Sequence, residues 1–403
     1  MICFCKSSLS VAACLLFAAM SLTALAETGE GRVFAHKKSA TLLHPFVGIL
    51  LKGDTGTTYW PHCTVTLVSP TRVLAARHCV KNLHGKDLKV FFPFEGIGEI
   101  SKGGILEFCE ESNTHCSMRI DDLVLLKLST PYTTLPTAQL GKLADLIISG
   151  EKTIVGFGLD DGSASDNGIK REGRIVMNRC NRCMSADVQN KAPPDNNRSL
   201  CFNFGTQVND HVGLNIVGNQ LGDSGGPMLN TDIEPHTIVG VAREADRTCG
   251  ELNQKEGQYV NLTHPHYRKW LSAAFCGPSC EVPSTVYVEK LLEIELARLD
   301  HNDFQNDHQI VIQPGAKKLI VTMNHTVGGW NPDPSDLDII LDLETECTRY
   351  VGVEVCTVDK PAPGLHKVSV KRIHKSAAYQ MTAIALYENE SAIMGGNPGT
   401  GNE

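Results

Sequence analysis

Hydrophobic positions along this chain fall into short runs rather than long helical stripes. The first run, Val11 to Met20, follows the positive Lys6 and precedes the small residues Ala24-Leu25-Ala26. That order is the pattern of an export signal, so residues 1–26 are expected to be removed from the mature chain. The run is too short to span a bilayer, and no later run predicts a membrane span. From Val47 to about Leu140, short apolar stretches alternate with polar turns, as in Cys63-Thr64-Val65-Thr66-Leu67-Val68 and Leu88-Lys89-Val90-Phe91-Phe92. Period-two runs at this spacing predict an all-β barrel. A second set follows: Lys152 to Gly158, Gly173 to Val176, Thr237 to Val241, and Gly257 to Leu262. The Pro- and Asn-rich stretch from Asp187 to Arg198 reads as a loop.

The pattern then changes. Between His264 and Phe275, Tyr267, Trp270 and Leu271 fall at helical spacing, which predicts a short closing helix. Val288, Leu291, Leu292, Leu296 and Leu299 also fall at helical spacing and predict a connecting helix within a linker over 277–301. A strand at Val286–Val288 is the alternative. Beyond Asn302 the character is β again, with runs at Lys318–Met323, Leu337–Leu341, Gly364–Val370 and Tyr379–Tyr387. Four such runs suit a small β-sandwich over 302–390. The Gly-rich residues 391–403 read as a flexible tail.

Composition narrows the class. The chain has 403 residues, 42% apolar and 20% charged, enough for two globular domains. A net charge of −8 with no basic patch excludes a nucleic-acid partner. Three of the 15 cysteines leave with the signal, and an even number in an exported chain implies disulfides. Cys109–Cys116 and Cys347–Cys356 read as short loop closures, and Cys201 as a partner of Cys180 or Cys183. The lone Cys180-x-x-Cys183 is too little for zinc, and Asp336 and Asp338 read as solvated, so no metal and no cofactor are expected.

Three stretches carry the chemistry. Leu74-Ala75-Ala76-Arg77-His78-Cys79 places a histidine after an apolar strand. Asp122 opens the apolar run Leu123-Val124-Leu125-Leu126. Gly222-Asp223-Ser224-Gly225-Gly226-Pro227 places a serine on a tight, exposed turn. A serine hydroxyl needs a base to take its proton, and His78 suits that role. Asp122 suits the role of orienting the imidazole, with Asp121 a solvated neighbour. In residue type, order and setting, these stretches resemble the trypsin/chymotrypsin family from about Val33 to Phe275.

The resemblance implies a chymotrypsin-like double six-stranded β-barrel over 33–276, followed by the sandwich, and a secreted serine endopeptidase acting on proteins or peptides. His78, Asp122 and Ser224 would be catalytic, and the backbone N–H groups of Gly222 and Ser224 would form the oxyanion hole. It also implies a Cys63–Cys79 bridge. An activating protease would cut Arg32–Val33, releasing residues 27–32, and the new amino group of Val33 would pair with Asp223. Ala35-His36 stands where the family usually has two glycines. Gly218 would be the floor of the primary pocket, with Asn219, Gln220, Arg243, Glu244, Ala245 and Gly257 as walls. No aspartate lies on that floor, so a Lys or Arg preference is not implied. Arg243 replaces a serine that commonly touches the catalytic aspartate, and Gln220 replaces a cysteine. Gln313-Pro314-Gly315-Ala316, Asp336-Leu337-Asp338 and Pro361-Ala362-Pro363-Gly364 resemble bacterial pre-peptidase C-terminal domains. A monomer is expected. The competing reading is a catalytically silent homologue that binds partners. An esterase on a nucleophile elbow would place its histidine last, and here it comes first.

Overall fold

The computed structural model describes residues 37–38, 43–53, 58–109, 120–147, 151–158, 168–177, 198–203, 222–231, 236–249, 254–275, 286–300, 302–326 and 337–388. The expected export signal (residues 1–26), the Arg32–Val33 peptide and residues 391–403 lie outside them.

Six strands close into a first barrel. In bonding order they are Val47–Gly53, Tyr59–Ser69, Arg72–Ala75, Val124–Leu128, Gly96–Glu107 and Leu88–Phe92, which pairs back onto the first. Register shifts between Leu67 and Ser69 and between Ile100 and Ile105 bend the ladder, which helps it to close. Val47, Ile49, Val65, Leu67, Val90 and Leu126 are fully buried; Val65 and Leu67 alternate with Thr64 and Thr66, whereas Val47–Leu51 is buried on both faces.

The second sheet runs Lys37–Lys38, Arg171–Val176, Glu151–Gly156, Pro227–Asn230, Thr237–Cys249, Gln254–Asn261 and Ser199–Asn203, with Gln139–Leu140 joined in parallel to the start of Thr237–Cys249. Ile154, Ile175, Phe202, Met228, Val239 and Tyr259 pack together in its own core. A closed barrel and a half-barrel make an all-β, chymotrypsin-like pair. The closing helix is Pro265–Ser272. His264 caps it by accepting the His266 N–H, and Pro265 stands where the first turn needs no donor. Tyr267 and Leu271, one turn apart, bury against the first barrel.

The C-terminal part is a sandwich of two sheets. Five strands run in the order Val286–Leu299, Ala377–Glu388, Lys318–His325, Val353–Asp359 and Glu346–Tyr350; three run Gln305–Ile312, Gly364–Arg372 and Leu337–Leu341. The helix expected from Val288 to Leu299 is corrected: these residues form one long strand against Ala377–Glu388. Its register shifts between Lys290 and Leu292 and between Ile294 and Ala297. Each inserted residue turns a period of two into a step of three or four, which imitates a helix in the sequence.

The five-stranded sheet is covered on both faces. Leu319, Val321, Met381 and Ala383 pack into the sandwich. The alternate residues Ile320 and Ile384, with Val353 and Val355, join the core of the first barrel. That explains why Lys318–His325 and Ala377–Glu388 are buried almost from end to end. Tyr350 meets Tyr59 edge-on at 4.9 Å, and the Val351 N–H donates to the Tyr59 carbonyl at 3.2 Å.

Candidate active site

The strand Arg72–Ala75 runs into a single 3-10 turn, Arg77–Cys79, which lifts His78 out of the first barrel. A disulfide from Cys79 to Cys63 ties that turn to the neighbouring strand. Arg77 is buried beneath it and donates Nε–H to Glu107. Asp122, just before the strand Val124–Leu128, directs both carboxylate oxygens at one residue. Oδ1 accepts the His78 backbone N–H at 2.8 Å, and Oδ2 lies 2.6 Å from His78 Nδ1. The Asp122 carbonyl also accepts the Arg77 N–H at 3.3 Å. A proton on Nδ1, held by the carboxylate, leaves the Nε2 lone pair of a neutral ring available as a base. The Asp122 side chain is 6% exposed and that of His78 is 44% exposed, so the carboxylate is shielded while the imidazole faces outward.

Burial pushes the nearby His62 imidazole down to about 4. Its Nε2 lies 3.1 Å from the Cys79 carbonyl, and it adds no positive charge to the site at neutral pH.

The serine turn is stitched to both sheets. Thr64, in the strand that begins at Tyr59, donates its N–H to the Ser224 carbonyl and its hydroxyl to the Gly222 carbonyl, each at 2.9 Å. From the other side, the Gly225 N–H donates to the Ala242 carbonyl and the Ala242 N–H to the Gly226 carbonyl, both at 2.8 Å. Gly225 has φ +85°, and a Cβ there would lie 2.3 Å from the Thr64 carbonyl and 3.0 Å from the Ala76 nitrogen. Only glycine lets the turn rest against Ala75-Ala76, two residues from His78. Ser224 and His78 therefore stand on adjoining segments, although among the described residues no hydrogen bond joins them.

Asp223 points the other way, inward. It is buried, and Oδ1 accepts the Gly158 N–H at 2.8 Å. The reading of Asp121 as solvated is corrected. Its side chain is fully buried and accepts from the Tyr267 hydroxyl at 2.6 Å and from Arg198 at 3.1 and 3.2 Å. Both partners lie far along the chain. The local signal was a pair of adjacent carboxylates ahead of an apolar run, one of which needed donors from elsewhere.

Arg243 is buried and donates to Gln258, and among the described residues it makes no ion pair with Asp122. Gly257 is buried in the sheet opposite Phe202. The backbone of Glu244 and Ala245 continues the same strand as Arg243. Gly218, Asn219, Gln220, Arg32, Val33 and Cys116 lie outside the described residues. Cys347 and Cys356 are joined, while Cys109 and Cys201 are each disulfide-bonded to partners outside the described side chains. Among the described residues, no helix is long and apolar enough to cross a membrane. Sequence reasoning gave no part to Thr64, Gly158 or Tyr267, whose roles depend on neighbours about 65 to 160 residues away.

A closed barrel carrying a histidine–aspartate pair, bonded to a half-barrel that carries a glycine-bracketed serine, defines the two-barrel, serine-protease type of fold. Residues 38–271 match the family model described as Trypsin, and the chain belongs to that family. Comparison with curated proteins gives no match.

Proposed function

We propose that this chain is a secreted serine endopeptidase, made as a zymogen and activated by a cut at Arg32–Val33. One observation carries the reading: the Asp122 carboxylate grips both the backbone and the ring of His78, which is useful if that ring must exchange protons. Ser224 Oγ attacks the substrate carbonyl and gives its proton to His78 Nε2. The oxyanion is received by the N–H groups of Gly222 and Ser224. Collapse expels the amine, which takes the proton from Nε2 and leaves an acyl group on Ser224. Water then attacks this ester by the same proton route and releases the acid.

Activation rests on Asp223. The buried carboxylate next to the nucleophile gains a cationic partner when the amino group of Val33 inserts, which would hold the Gly222 and Ser224 amides in place. Export follows from the leader and the cysteine count. Resemblance to pre-peptidase C-terminal domains gives the sandwich a part in export or attachment. A chain ending near Cys280 that is secreted and degrades protein as well as the full chain would refute that part.

The test is to label the cut protein with a fluorophosphonate and read the adduct by mass spectrometry, with Ser224→Ala as control. The expected result is one adduct on Ser224 and a new terminus at Val33. An unlabelled Ser224 in correctly cut protein selects the silent, partner-binding homologue instead.

A further inference from the structure

The sandwich hydrogen-bonds to the backbone of Gly168 and Lys170, next to the residues that contact Gly158 and Asp223. Gln380, fully buried on the strand Ala377–Glu388, meets Lys170 as a neighbouring strand would. Its Oε1 accepts the Lys170 N–H at 2.8 Å, and its Nε2–H donates to the Lys170 carbonyl at 3.2 Å. Asn324, buried on Lys318–His325, donates to the Gly168 carbonyl at 2.8 Å and to Gln380 Oε1 at 2.9 Å. Gly168 in turn donates its N–H to the Phe157 carbonyl at 2.9 Å. The next residue after Lys170, Arg171, is buried and donates to the Gly158 carbonyl at 2.9 Å. The other side of Gly158, its N–H, is the donor to Asp223. Lys170 Nζ also donates to the carbonyls of Leu43 at 2.6 Å and His44 at 2.8 Å. That segment leads from the expected new terminus into the first strand.

We infer that Gln380 and Asn324 are positioning residues for the protease site: through Gly168–Arg171 and Gly158 they set the place of Asp223 and hence of the Ser224 turn. The inference rests on the catalytic reading above for its effect on rate, but its physical content is the path itself. Ile320, Val353, Val355 and Ile384 attach the sandwich to the first barrel by apolar contact, which resists separation but fixes direction poorly. The buried amides fix direction, since a small shift leaves several groups unpaired.

The experiment uses the full chain after the activating cut. Gln380→Glu keeps the volume and the Lys170 N–H acceptor but deletes the donor to the Lys170 carbonyl. Arg171→Met deletes the contact to Gly158, and Ile384→Ala loosens the interface off the path. We expect kcat to fall about tenfold or more in Gln380→Glu and Arg171→Met with KM within about twofold. Ile384→Ala should lower Tm and keep kcat. Wild-type kcat in a folded Gln380→Glu protein, or an equal loss in Ile384→Ala, overturns the inference. If Gln380→Glu does not fold, Arg171→Met is judged by the same criteria. If the wild type fails to label at Ser224, the catalytic reading falls and amide hydrogen exchange decides the path alone. Faster exchange of the Gly158 and Gly225 amides in Gln380→Glu, but not in Ile384→Ala, supports it, and unchanged exchange overturns it.

Discussion

The Asp223 carboxylate lies flat against the backbone of Gly158: Oδ1 accepts its N–H at 2.8 Å, and a Cβ on residue 158 would come within 2.6 Å of the carboxyl carbon. The acid that precedes the proposed nucleophile is thus held in a cradle that exists because neither residue 156 nor residue 158 has a side chain; a Cβ on residue 156 would come within 2.0 Å of Asp223 Oδ1. Gly158→Ala would push Asp223 out and tilt the Gly222–Ser224 amides with it. Loss of one oxyanion donor costs about 3 kcal/mol, so kcat should fall on the order of 100-fold. Steady-state kinetics on a variant with near-native circular dichroism tests this; an active Gly158→Ala would refute the cradle.

Asp122→Asn keeps the shape of the His78 site but changes its hydrogen bonding. An amide can present an N–H to Nδ1, which favours the tautomer with its proton on Nε2 and removes the base. A loss of about 10⁴-fold in kcat is expected, with little change in KM. Retention of more than a tenth of the rate would show that His78 does not act through its Nδ1 contact.

Tyr267→Phe separates the two neighbouring acids. It removes the 2.6 Å hydrogen bond to buried Asp121 and leaves the His78–Asp122 contacts alone. A buried carboxylate that loses a donor costs about 1–3 kcal/mol, so Tm should drop by several degrees while kcat stays within about twofold. A stable variant with collapsed kcat would instead make Asp121 part of the chemistry.

Lys170 makes stability depend on pH. Burial pushes its amine from the usual 10.5 down to about 7. Between those values the unfolded chain carries a proton that the folded chain lacks, so stability from this group rises with pH across that window and is level below it. The expected slope is up to about 1.4 kcal/mol per pH unit. Urea midpoints from pH 7 to 9.5, compared with Lys170→Met, would show it. Parallel curves for the two proteins would mean that Lys170 does not titrate there.

The disulfide between Cys347 and Cys356 closes a short loop at the edge of the five-stranded sheet. Replacing both residues with serine should cost about 2–3 kcal/mol by thermal unfolding and leave turnover by the two barrels unchanged. A fall in kcat matching the fall in Tm would tie this edge to the site.

Much of the candidate site could be proposed from sequence because its demands are local. A serine between glycines, a histidine after two alanines and an aspartate ahead of an apolar strand each announce themselves within six residues. The barrel strands were legible for the same reason, since each is a short apolar run bounded by polar turns, and several are buried on both faces. Legibility failed where a residue answered to two neighbours at once. Val286–Leu299 reads as a helix because two bulges break its period. The strand Gln305–Ile312 was missed because its first residues alternate between exposed and half-buried positions and carry little apolar signal.

The sequence by itself determined the order of the three candidate groups, the all-β character and the short Cys347–Cys356 loop. Those depend on side-chain type and on distances of a few residues along the chain. Only the tertiary structure decided that Asp121 is buried, that Thr64 stitches the serine turn across two sheets, and that Gln380 pairs with the backbone of Lys170. A buried hydrogen bond between residues scores of positions apart leaves no periodic trace. Each partner is merely polar until the fold removes the water around it and makes its match obligatory.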